Sequence, residues 1–261
     1  MKNILVTGAG GQLGLTLKEL APRYPDLHFE FKTRAELDVT NKENVEKIFS
    51  AFQYDYCINC AAYTHVENAE KEPEQAHEVN AEGVKNLAHA CLENNLVLIH
   101  ISTDYVFDGK KNSPYGTKDI PNPINEYGKS KWLGEQYIQK LLSRFYIVRT
   151  SWLYSKTFGK NFYKTILENA IKGEELRVTD TQTGSPTNTI SLSNFLIETL
   201  ILHNADFGIH HFTDNTAMTW FTFAQKIILE NGLTDKVKLL RQSNYNSLAK
   251  RPEYSVLDVG K

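Results

Sequence analysis

Two residues four positions apart, Tyr127 and Lys131, form the pair with the clearest chemical use in this sequence. Apolar residues recur at helical spacing from Asn125 to Leu142, which predicts a helix with both side chains on one face. A lysine ammonium nearby favours the phenolate, and it would lower the pKa of Tyr127 below the usual value of about 10. Tyr127 would then serve as a general acid or base. The alternative is a solvated contact on a helix surface.

A third candidate, Thr103, follows the apolar run from Leu96 to Ile101, which predicts a buried parallel strand. Its hydroxyl would lie beside the same substrate oxygen as the hydroxyl of Tyr127. Thr103, Tyr127 and Lys131 would thus surround one carbonyl group, and this arrangement indicates an oxidoreductase.

The start of the chain predicts a turn that binds a dinucleotide. A short apolar strand from Lys2 to Thr7 is followed at once by the glycine-rich segment from Gly8 to Gly14, where a helix begins. Glycines at this place let the backbone turn tightly and approach a pyrophosphate, whose charge is met by the helix N-terminus. The position directly after the first strand makes this glycine pattern a specific one.

The residue twenty positions after Gly14 is Arg34. Folds of this kind commonly place an acidic residue there when they prefer NAD, or an arginine nearby when they accept a 2'-phosphate. Arg34 therefore favours NADPH, with NADH possible because Glu36 and Asp38 are close by. The alternative is that Arg34 is a solvated loop charge. The loop with Asp38 and Val39 is expected to lie against the adenine.

Strands and helices alternate up to about residue 150, with strands predicted at 2–7, 28–32, 56–61, 96–101 and 145–148 and helices at 42–52, 73–93 and 125–142. This alternation predicts an α/β fold with a Rossmann-type doubly wound parallel sheet and ligands at the strands' carboxyl ends. Later helices, at 162–171, 192–203 and 219–230, alternate with short strands, which predicts a smaller, partly interleaved C-terminal substrate lobe. We expect an NAD(P)-binding domain over residues 1–152 and a substrate-binding lobe over 153–261.

Composition excludes several classes of partner. With 29 basic and 31 acidic residues the 261-residue chain has a formal net charge of -2 and no basic run, so we expect no nucleic-acid partner. Apolar stretches fall far short of the roughly 18 residues of a membrane span, and glycine interrupts the N-terminus too early for a signal peptide. These features predict a cytoplasmic protein with no membrane partner.

Three cysteines, Cys57, Cys60 and Cys91, lie in apolar surroundings that suit reduced core residues. The spacing of Cys57 and Cys60 raises a redox or metal alternative. Both fall in a predicted strand, where alternate side chains face opposite sides, so we expect no metal site.

With these motifs the chain resembles the extended short-chain dehydrogenase/reductases, and within them the dTDP-4-dehydrorhamnose reductases, over nearly its whole length. The resemblance rests on segments in that family's order and spacing: Asn59-Cys-Ala-Ala-Tyr-Thr64, Ser102-Thr-Asp-Tyr-Val-Phe107, Tyr127-Gly-Lys-Ser-Lys131, Arg149-Thr-Ser-Trp152, Asn161-Phe162, Gly184-Ser-Pro-Thr187 and Arg251-Pro252.

The resemblance implies reduction of the 4-keto group of dTDP-4-dehydro-L-rhamnose by NAD(P)H, giving dTDP-L-rhamnose for cell-surface polysaccharide. It implies that Thr103, Tyr127 and Lys131 are catalytic. It implies that the nucleotide sugar is bound by Thr103, Asp104, Tyr127, Trp152 and Asn161. Together with the turn and loop residues above, it implies a cofactor site that consists of Gly8, Gly11, Gln12, Leu13, Gly14, Arg34, Asp38, Val39, Ala61, Ala62, Tyr63, Tyr127 and Lys131.

Two segments depart from the family's pattern. Glu67 and Asn68 stand where the family often has Asp and Lys, and Thr181 precedes Gln182 where Asp is usual. The chain also ends soon after Pro252, whereas family members usually continue through a further helix that some use in dimerisation. A monomer and a homodimer both remain open.

Two other functions are compatible with the same fold. A sugar-nucleotide 4,6-dehydratase or 4-epimerase shares the Tyr-Lys pair, but dehydratases typically have Asp-Glu after the threonine and this chain has Asp104-Tyr105. A non-catalytic NADP-binding subunit, like the regulatory partner of methionine adenosyltransferase, would keep the fold without needing the chemistry.

Overall fold

The structure, a computed structural model, describes residues 1–243 and 247–260. Its centre is a six-stranded sheet, and every pairing in it is parallel. From one edge to the other the strands are β2 (Leu27–Phe31), β1 (Lys2–Thr7), β3 (Tyr56–Asn59), β4 (Val97–Thr103), β5 (Phe145–Thr150) and β10 (Gly208–His211). The Rossmann-type α/β fold predicted from the sequence is confirmed.

Helices cover both faces of this sheet, because alternate strand residues are apolar on each side. One face holds Leu5, Cys57 and Leu98, which pack against α2 (Lys42–Ala51), α5 (Gly83–Glu93) and α6 (Glu126–Leu141). The other face holds Ile4, Val6 and Ile99, which pack against α1 (Gln12–Leu20) and the helix after residue 188.

Two helices contain a wider π turn. The helix predicted from residue 73 to 93 consists of α4 (Pro73–His77), a π turn (Glu78–Glu82) and α5. The helix predicted from residue 192 begins earlier, as α8 (Thr189–Asn194), and continues as a π segment (Phe195–Leu202). Asn188 explains the earlier start, because its side chain accepts the N–H of Ile190 and caps the helix.

The elements after β5, other than α8 with its π segment and β10, form a second layer, which contains its own apolar cluster. In it α7 (Phe162–Ile171) and α9 (Trp220–Glu230) pack on β7 (Leu176–Val178), which pairs with β12 (Leu239–Arg241). Two-residue strands complete it: β6 (Leu153–Tyr154) with β9 (Thr187–Asn188), and β8 (Thr183–Gly184) with β11 (Met218–Thr219). The division at residue 152 remains a prediction, and Lys261, the last residue of that lobe, lies outside the described residues.

Two strand ends differ from expectation and shape the site. β4 runs on to Thr103, two residues past its predicted end, because it pairs with β5 up to Thr150. β3 ends at Asn59 rather than at residue 61, because the Asn59 side chain accepts the N–H of Ala61 at 3.1 Å and turns the backbone out of the sheet. In the described ranges, no helix is both long and apolar enough to cross a membrane.

Candidate active site

A cleft crosses the carboxyl ends of the sheet strands, where ligands bind in folds of this type. It consists of a cavity of about 460 Å³ beside Thr103 and Tyr127 and a cavity of about 650 Å³ beside Arg34. The two share the lining residues Gly11, Cys60, Ala61, Ala62 and Thr64. Every site residue predicted from the sequence except Asn161 lines one of them.

The glycine turn forms the floor of this cleft. Gly8 has a φ of +61°, and a Cβ there would lie 2.5 Å from the backbone nitrogen of Ala61. A Cβ on Gly14 would lie 2.6 Å from the Cα of Ala9. Glycine is therefore required at both positions. No side chain caps the first turn of α1, whose glycine-lined N-terminus faces the cleft, and this fits a pyrophosphate.

The far end of the cleft suits an adenosine. Arg34, Asp38, Val39 and Tyr63 line the 650 Å³ cavity together with the glycine turn. The Arg34 side chain is 81% exposed, and its Nε lies 3.6 Å from Asp38 Oδ2. Such an exposed ion pair is weak, so Arg34 can turn to a phosphate group without losing a strong contact.

Thr103 and Tyr127 are brought together as the sequence predicts. The Thr103 hydroxyl lies beside the Tyr127 phenol in the same cavity and donates to Asp104 Oδ1 at 3.0 Å. Asn125 caps α6 by accepting the N–H of Gly128 at 2.8 Å, which sets the first turn of the helix against the strand end. A Cβ on Gly128 would lie 2.2 Å from the Tyr105 carbonyl oxygen, so only glycine allows this approach.

We expect Gly128→Ala to lower both turnover and stability. The added methyl group must push α6 away from the Tyr105 carbonyl, which separates Tyr127 from Thr103. Overpacking of this kind costs about 1–3 kcal/mol. Urea unfolding and steady-state kinetics measure the two effects. Gly116→Ala is the matched control, because its Cβ would meet nothing closer than Asp119 Oδ2 at 3.8 Å. Equal behaviour of the two variants would contradict the close approach.

The expected lowering of the pKa of Tyr127 by Lys131 is wrong. Burial raises the pKa of Tyr127, and Asp104 and Tyr105 add to that effect while the hydrogen bond with Thr103 opposes it. The reason lies in the direction of the lysine. Lys131 Nζ donates to the carbonyl oxygen of Ile101 at 2.7 Å and lies 3.1 Å from His100 Nε2.

The sequence analysis missed His100. It lies in β4 with no exposed surface, and Asn59 Nδ2 contacts its Nδ1 at 3.0 Å. The available signal was a single polar residue inside the apolar run from Leu96 to Ile101. A buried histidine needs partners for both ring nitrogens, and such a position therefore points to a polar network.

Asp104 is buried beside Thr103 and Tyr127. Only 2% of its surface is exposed. Burial raises its pKa to about 6, although hydrogen bonds from Ser255 and Thr103 oppose the rise. A carboxyl group of this kind changes its charge near neutral pH in the wall of the cleft.

Trp152 closes the cleft on the side of the second layer. Its backbone has a φ of +47°, a strained conformation for this residue type. The indole stacks on Trp220 with ring centroids 3.5 Å apart, and Trp220 Nε1 donates to Gln182 Oε1 at 3.1 Å. Gly184 makes room for the ring, because a Cβ there would lie 2.6 Å from it.

Asn161 has a different position from that expected. Its side chain caps α7 by accepting the N–H of Lys164, and its Nδ2 donates to the carbonyl oxygen of Ser155 at 2.8 Å. The same amide lies 3.2 Å from Gln12 Oε1, a residue that does line the cleft. In this structure Asn161 therefore acts through Gln12, and direct contact of Asn161 with a substrate remains a prediction.

The departure at Glu67 has a structural use. Glu67 Oε1 pairs with Arg251 at 2.8 Å, and Oε2 accepts the N–H of Leu248. These contacts fasten the C-terminal segment to α3 (Val66–Ala69) beside Tyr105. A glutamate thus serves as an anchor for that segment.

The described parts of the chain contain no cluster of side chains that could bind a metal ion. Residues 1–243 and 247–260 contain no group of three or more His, Cys, Asp or Glu side chains that could hold an ion. Cys57 and Cys91 are buried, and Cys60 has the pKa of its thiol raised by burial.

Comparison with known proteins identifies relatives over the whole length. A family model described as the RmlD substrate binding domain matches residues 1–261. A dTDP-4-dehydrorhamnose reductase of Aggregatibacter actinomycetemcomitans is 40% identical, with 100% of this chain and 92% of the relative covered. The spore coat polysaccharide biosynthesis protein SpsK of Bacillus subtilis is 38% identical, with 98% and 89% covered.

A solved structure has the same architecture. The dTDP-4-dehydrorhamnose reductase of Bacillus anthracis in complex with NADP superposes with a TM-score of 0.93 at 38% identity. The match covers 100% of this chain and 92% of that one.

Proposed function

Because this chain belongs to the dTDP-4-dehydrorhamnose reductase family, we propose that it reduces the 4-keto group of dTDP-4-dehydro-L-rhamnose with NADPH, giving dTDP-L-rhamnose. The observation that carries this proposal is the position of Thr103, Tyr127 and Lys131 in one cavity with the glycine turn. The product would serve cell-surface polysaccharide synthesis, in keeping with the name of the Bacillus subtilis relative.

NADPH fits the residues of the cleft. The Bacillus anthracis relative was crystallised with NADP, and the uncapped N-terminus of α1 offers backbone N–H groups to a pyrophosphate. Arg34 would hold the 2'-phosphate, and Asp38, Val39, Ala61, Ala62 and Tyr63 would line the adenosine and ribose. When bound, NADPH supplies the hydride that reduces the carbonyl carbon.

The chain's own residues supply the proton. The raised pKa of Tyr127 keeps its phenol protonated at neutral pH, so the hydroxyl can donate to the oxygen that becomes an alkoxide. The Thr103 hydroxyl, which donates to Asp104 Oδ1 at 3.0 Å, would donate to the same oxygen once it turns from that carboxylate. Lys131 lines the same cavity and would bind the ribose and polarise the phenol once it turns from His100.

Substrate positioning is assigned to the walls of the cleft. Asp104 and Trp152 line the cavity beside Tyr127 and would contact the nucleotide sugar. The stacked pair of Trp152 and Trp220 offers an aromatic face, a surface on which a sugar or base can pack. Asn161 would orient this region through Gln12.

A dehydratase reaction is disfavoured by the residue next to Asp104. Tyr105 occupies that position, and its hydroxyl lies 3.4 Å from Arg251. Burial raises the pKa of Tyr105 to about 12, so it does not replace the second carboxylate of a dehydratase. A regulatory subunit without turnover is the other alternative, and an assay separates it from a reductase.

The test is NADPH oxidation by the purified protein with dTDP-4-dehydro-L-rhamnose generated in situ. We expect absorbance of the reduced nicotinamide to fall only when this keto sugar is present. NADPH binding without oxidation would contradict the proposal and favour the regulatory subunit. Cofactor that stays bound through purification and is not consumed would favour an epimerase or dehydratase.

Cofactor preference provides a separate prediction. We expect Arg34→Ser to weaken NADPH binding by about tenfold and to leave NADH binding unchanged, because one charge-assisted contact to the 2'-phosphate is lost. Fluorescence titration of the two cofactors measures this difference. Arg23→Ser is the matched control, since Arg23 is exposed and lies outside the cleft. An equal loss for both cofactors would contradict the assignment of Arg34.

Three further expectations belong to this proposal. Residues 1–152 would form the NAD(P)-binding domain and residues 153–261 the substrate lobe, with β10 and α8 as the interleaved part. The chain would act as a monomer or homodimer on a small nucleotide sugar, without nucleic acid. Its location in the cytoplasm remains a prediction.

A further inference from the structure

A line of buried polar side chains connects the glycine turn to Lys131. Thr7 Oγ1 donates to Asn59 Oδ1 at 2.7 Å, and Asn59 Nδ2 contacts His100 Nδ1 at 3.0 Å. His100 Nε2 lies 3.1 Å from Lys131 Nζ. These residues lie on the neighbouring strands β1, β3 and β4 and on α6, and none is more than 2% exposed. Each polar contact in such a place must be satisfied within the protein.

The direction of every hydrogen bond in this line is set at Asn59. The backbone N–H of Ala61 can only donate, so the Asn59 atom that it contacts at 3.1 Å is the amide oxygen. The other end of the Asn59 side chain is therefore the NH₂ group, which can only donate to His100 Nδ1. Nδ1 is thus the unprotonated nitrogen, and the proton of the neutral ring lies on Nε2.

His100 is a neutral ring in this position. Burial holds the pKa of His100 well below its usual range, and the neighbouring Lys131 lowers it further. The Nε2–H group consequently points at Lys131 Nζ. An ammonium has three donors and no lone pair, whereas an amine can accept this hydrogen and still donate to the carbonyl oxygen of Ile101. All contacts are satisfied only when Lys131 is an uncharged amine.

The titratable groups that face Lys131 from neighbouring elements do not supply a free negative charge that would favour its ammonium form. Glu135, one turn along α6, is bound by Arg149 of β5 at 2.6 Å and by Ser102 of β4 at 2.5 Å. Cys60, at the end of β3, and Tyr127, on α6, both have their pKa raised by burial and stay neutral. Burial lowers the pKa of Lys131 to about 8, with the Glu135 carboxylate opposing it.

We propose that His100 is a positioning residue that holds Lys131 as an uncharged amine in the cofactor-free protein at mildly alkaline pH, and that Lys131 then takes up one proton from solvent when NADPH binds. This role rests on the proposed function, because NADPH brings the ribose and the negative phosphates that draw Lys131 away from His100. Above the pKa of Lys131 in the free protein, binding must include protonation. NADPH affinity then falls as the pH rises.

A titration of the free protein tests the first part without cofactor or substrate. Lysine labelled with ¹³C at the ε carbon reports the charge of each side chain by NMR, and the Lys131 signal is the one missing from Lys131→Met. We expect Lys131 to titrate near pH 8, well below the reference lysine value of about 10.4. Titration of Lys131 together with the exposed lysines would overturn the proposal.

A double-mutant cycle tests whether His100 is responsible. The Asn59→Asp variant has a carboxylate at this position, which accepts hydrogen bonds from the Ala61 N–H, the Thr7 hydroxyl and His100 Nδ1. The proton of the His100 ring therefore moves to Nδ1. Nε2 then carries a lone pair that accepts a hydrogen bond from the lysine. We expect the acid dissociation constant of Lys131 to fall by about tenfold or more. When Asn59→Asp is made in a His100→Leu protein, it adds the carboxylate charge but has no imidazole to reorient. The acid dissociation constant of Lys131 should then fall much less. Equal falls would overturn the role of His100.

Calorimetry of NADPH binding tests the second part. Above the Lys131 midpoint, measurements in two buffers with different ionisation enthalpies should show uptake of about one proton per NADPH bound. Binding without proton uptake would overturn the proposal. Absence of NADPH binding would count against the proposed function instead, while the titration of the free wild-type protein still decides the state of Lys131.

Discussion

Replacing Tyr127 with phenylalanine is expected to lower turnover by about 100-fold or more and to leave NADPH binding nearly intact. The phenol lies beside Thr103 in the cleft, and phenylalanine keeps the ring while removing the proton that the phenol would donate. Steady-state oxidation of NADPH with the keto sugar gives turnover, and cofactor titration gives binding. The two measurements together separate lost chemistry from lost structure.

Tyr146→Phe is the matched control for this variant. Tyr146 lies in β5 outside the cleft, and its hydroxyl donates to the carbonyl oxygen of Ala205 at 2.6 Å. The same chemical change is made there on a buried tyrosine, so turnover should stay close to wild type. A Tyr127→Phe protein as active as this control would refute the assignment of Tyr127 as proton donor.

The backbone of the site was predictable because its signals are local. The strand Lys2–Thr7, the glycine turn and the helix with Leu13 and Leu17 follow from adjacent residues. The pair of Tyr127 and Lys131 follows in the same way from helical spacing, and α6 has nearly the expected bounds. The parallel sheet follows from alternation of strands and helices.

What was missed depends on contacts between distant residues. The turn at Asn59, the buried His100 and the direction of Lys131 are consequences of one network that joins three strands to α6. No spacing within a segment encodes such a network. The pKa of Tyr127 is raised rather than lowered, because the phenol is buried and Lys131 is bonded to His100 and Ile101. The four-residue spacing of Tyr127 and Lys131 does not reveal which way the lysine side chain points.

The two-residue strands of the second layer were missed for a different reason. β8 and β11 contain two residues each, too few for an alternating pattern to be recognised. Their pairing depends on segments that are far apart in the chain, such as Gly184 with Met218. The conformation of Trp152 likewise depends on space left by Gly184, a relation visible only in three dimensions.

Replacing Glu135 with alanine is expected to lower the free energy of unfolding by about 3–5 kcal/mol. Glu135 is fully buried, and its carboxylate binds Arg149 through Nη2 at 2.6 Å and Nε at 3.0 Å. The guanidinium, which lies over the rings of Phe107 and Trp132, would stay buried without a counter-charge. Urea unfolding without cofactor measures the loss.

Two controls separate burial of the charge from loss of an ion pair as such. Glu175→Ala removes the shared partner of Arg177 and Lys238, whose side chains are 66% and 69% exposed, and should cost no more than about 1 kcal/mol. Replacing Glu135 and Arg149 together by methionine removes both buried charges, and most of the lost stability should return. If Glu135→Ala cost no more than Glu175→Ala, the buried ion pair would have no part in holding α6 on β5.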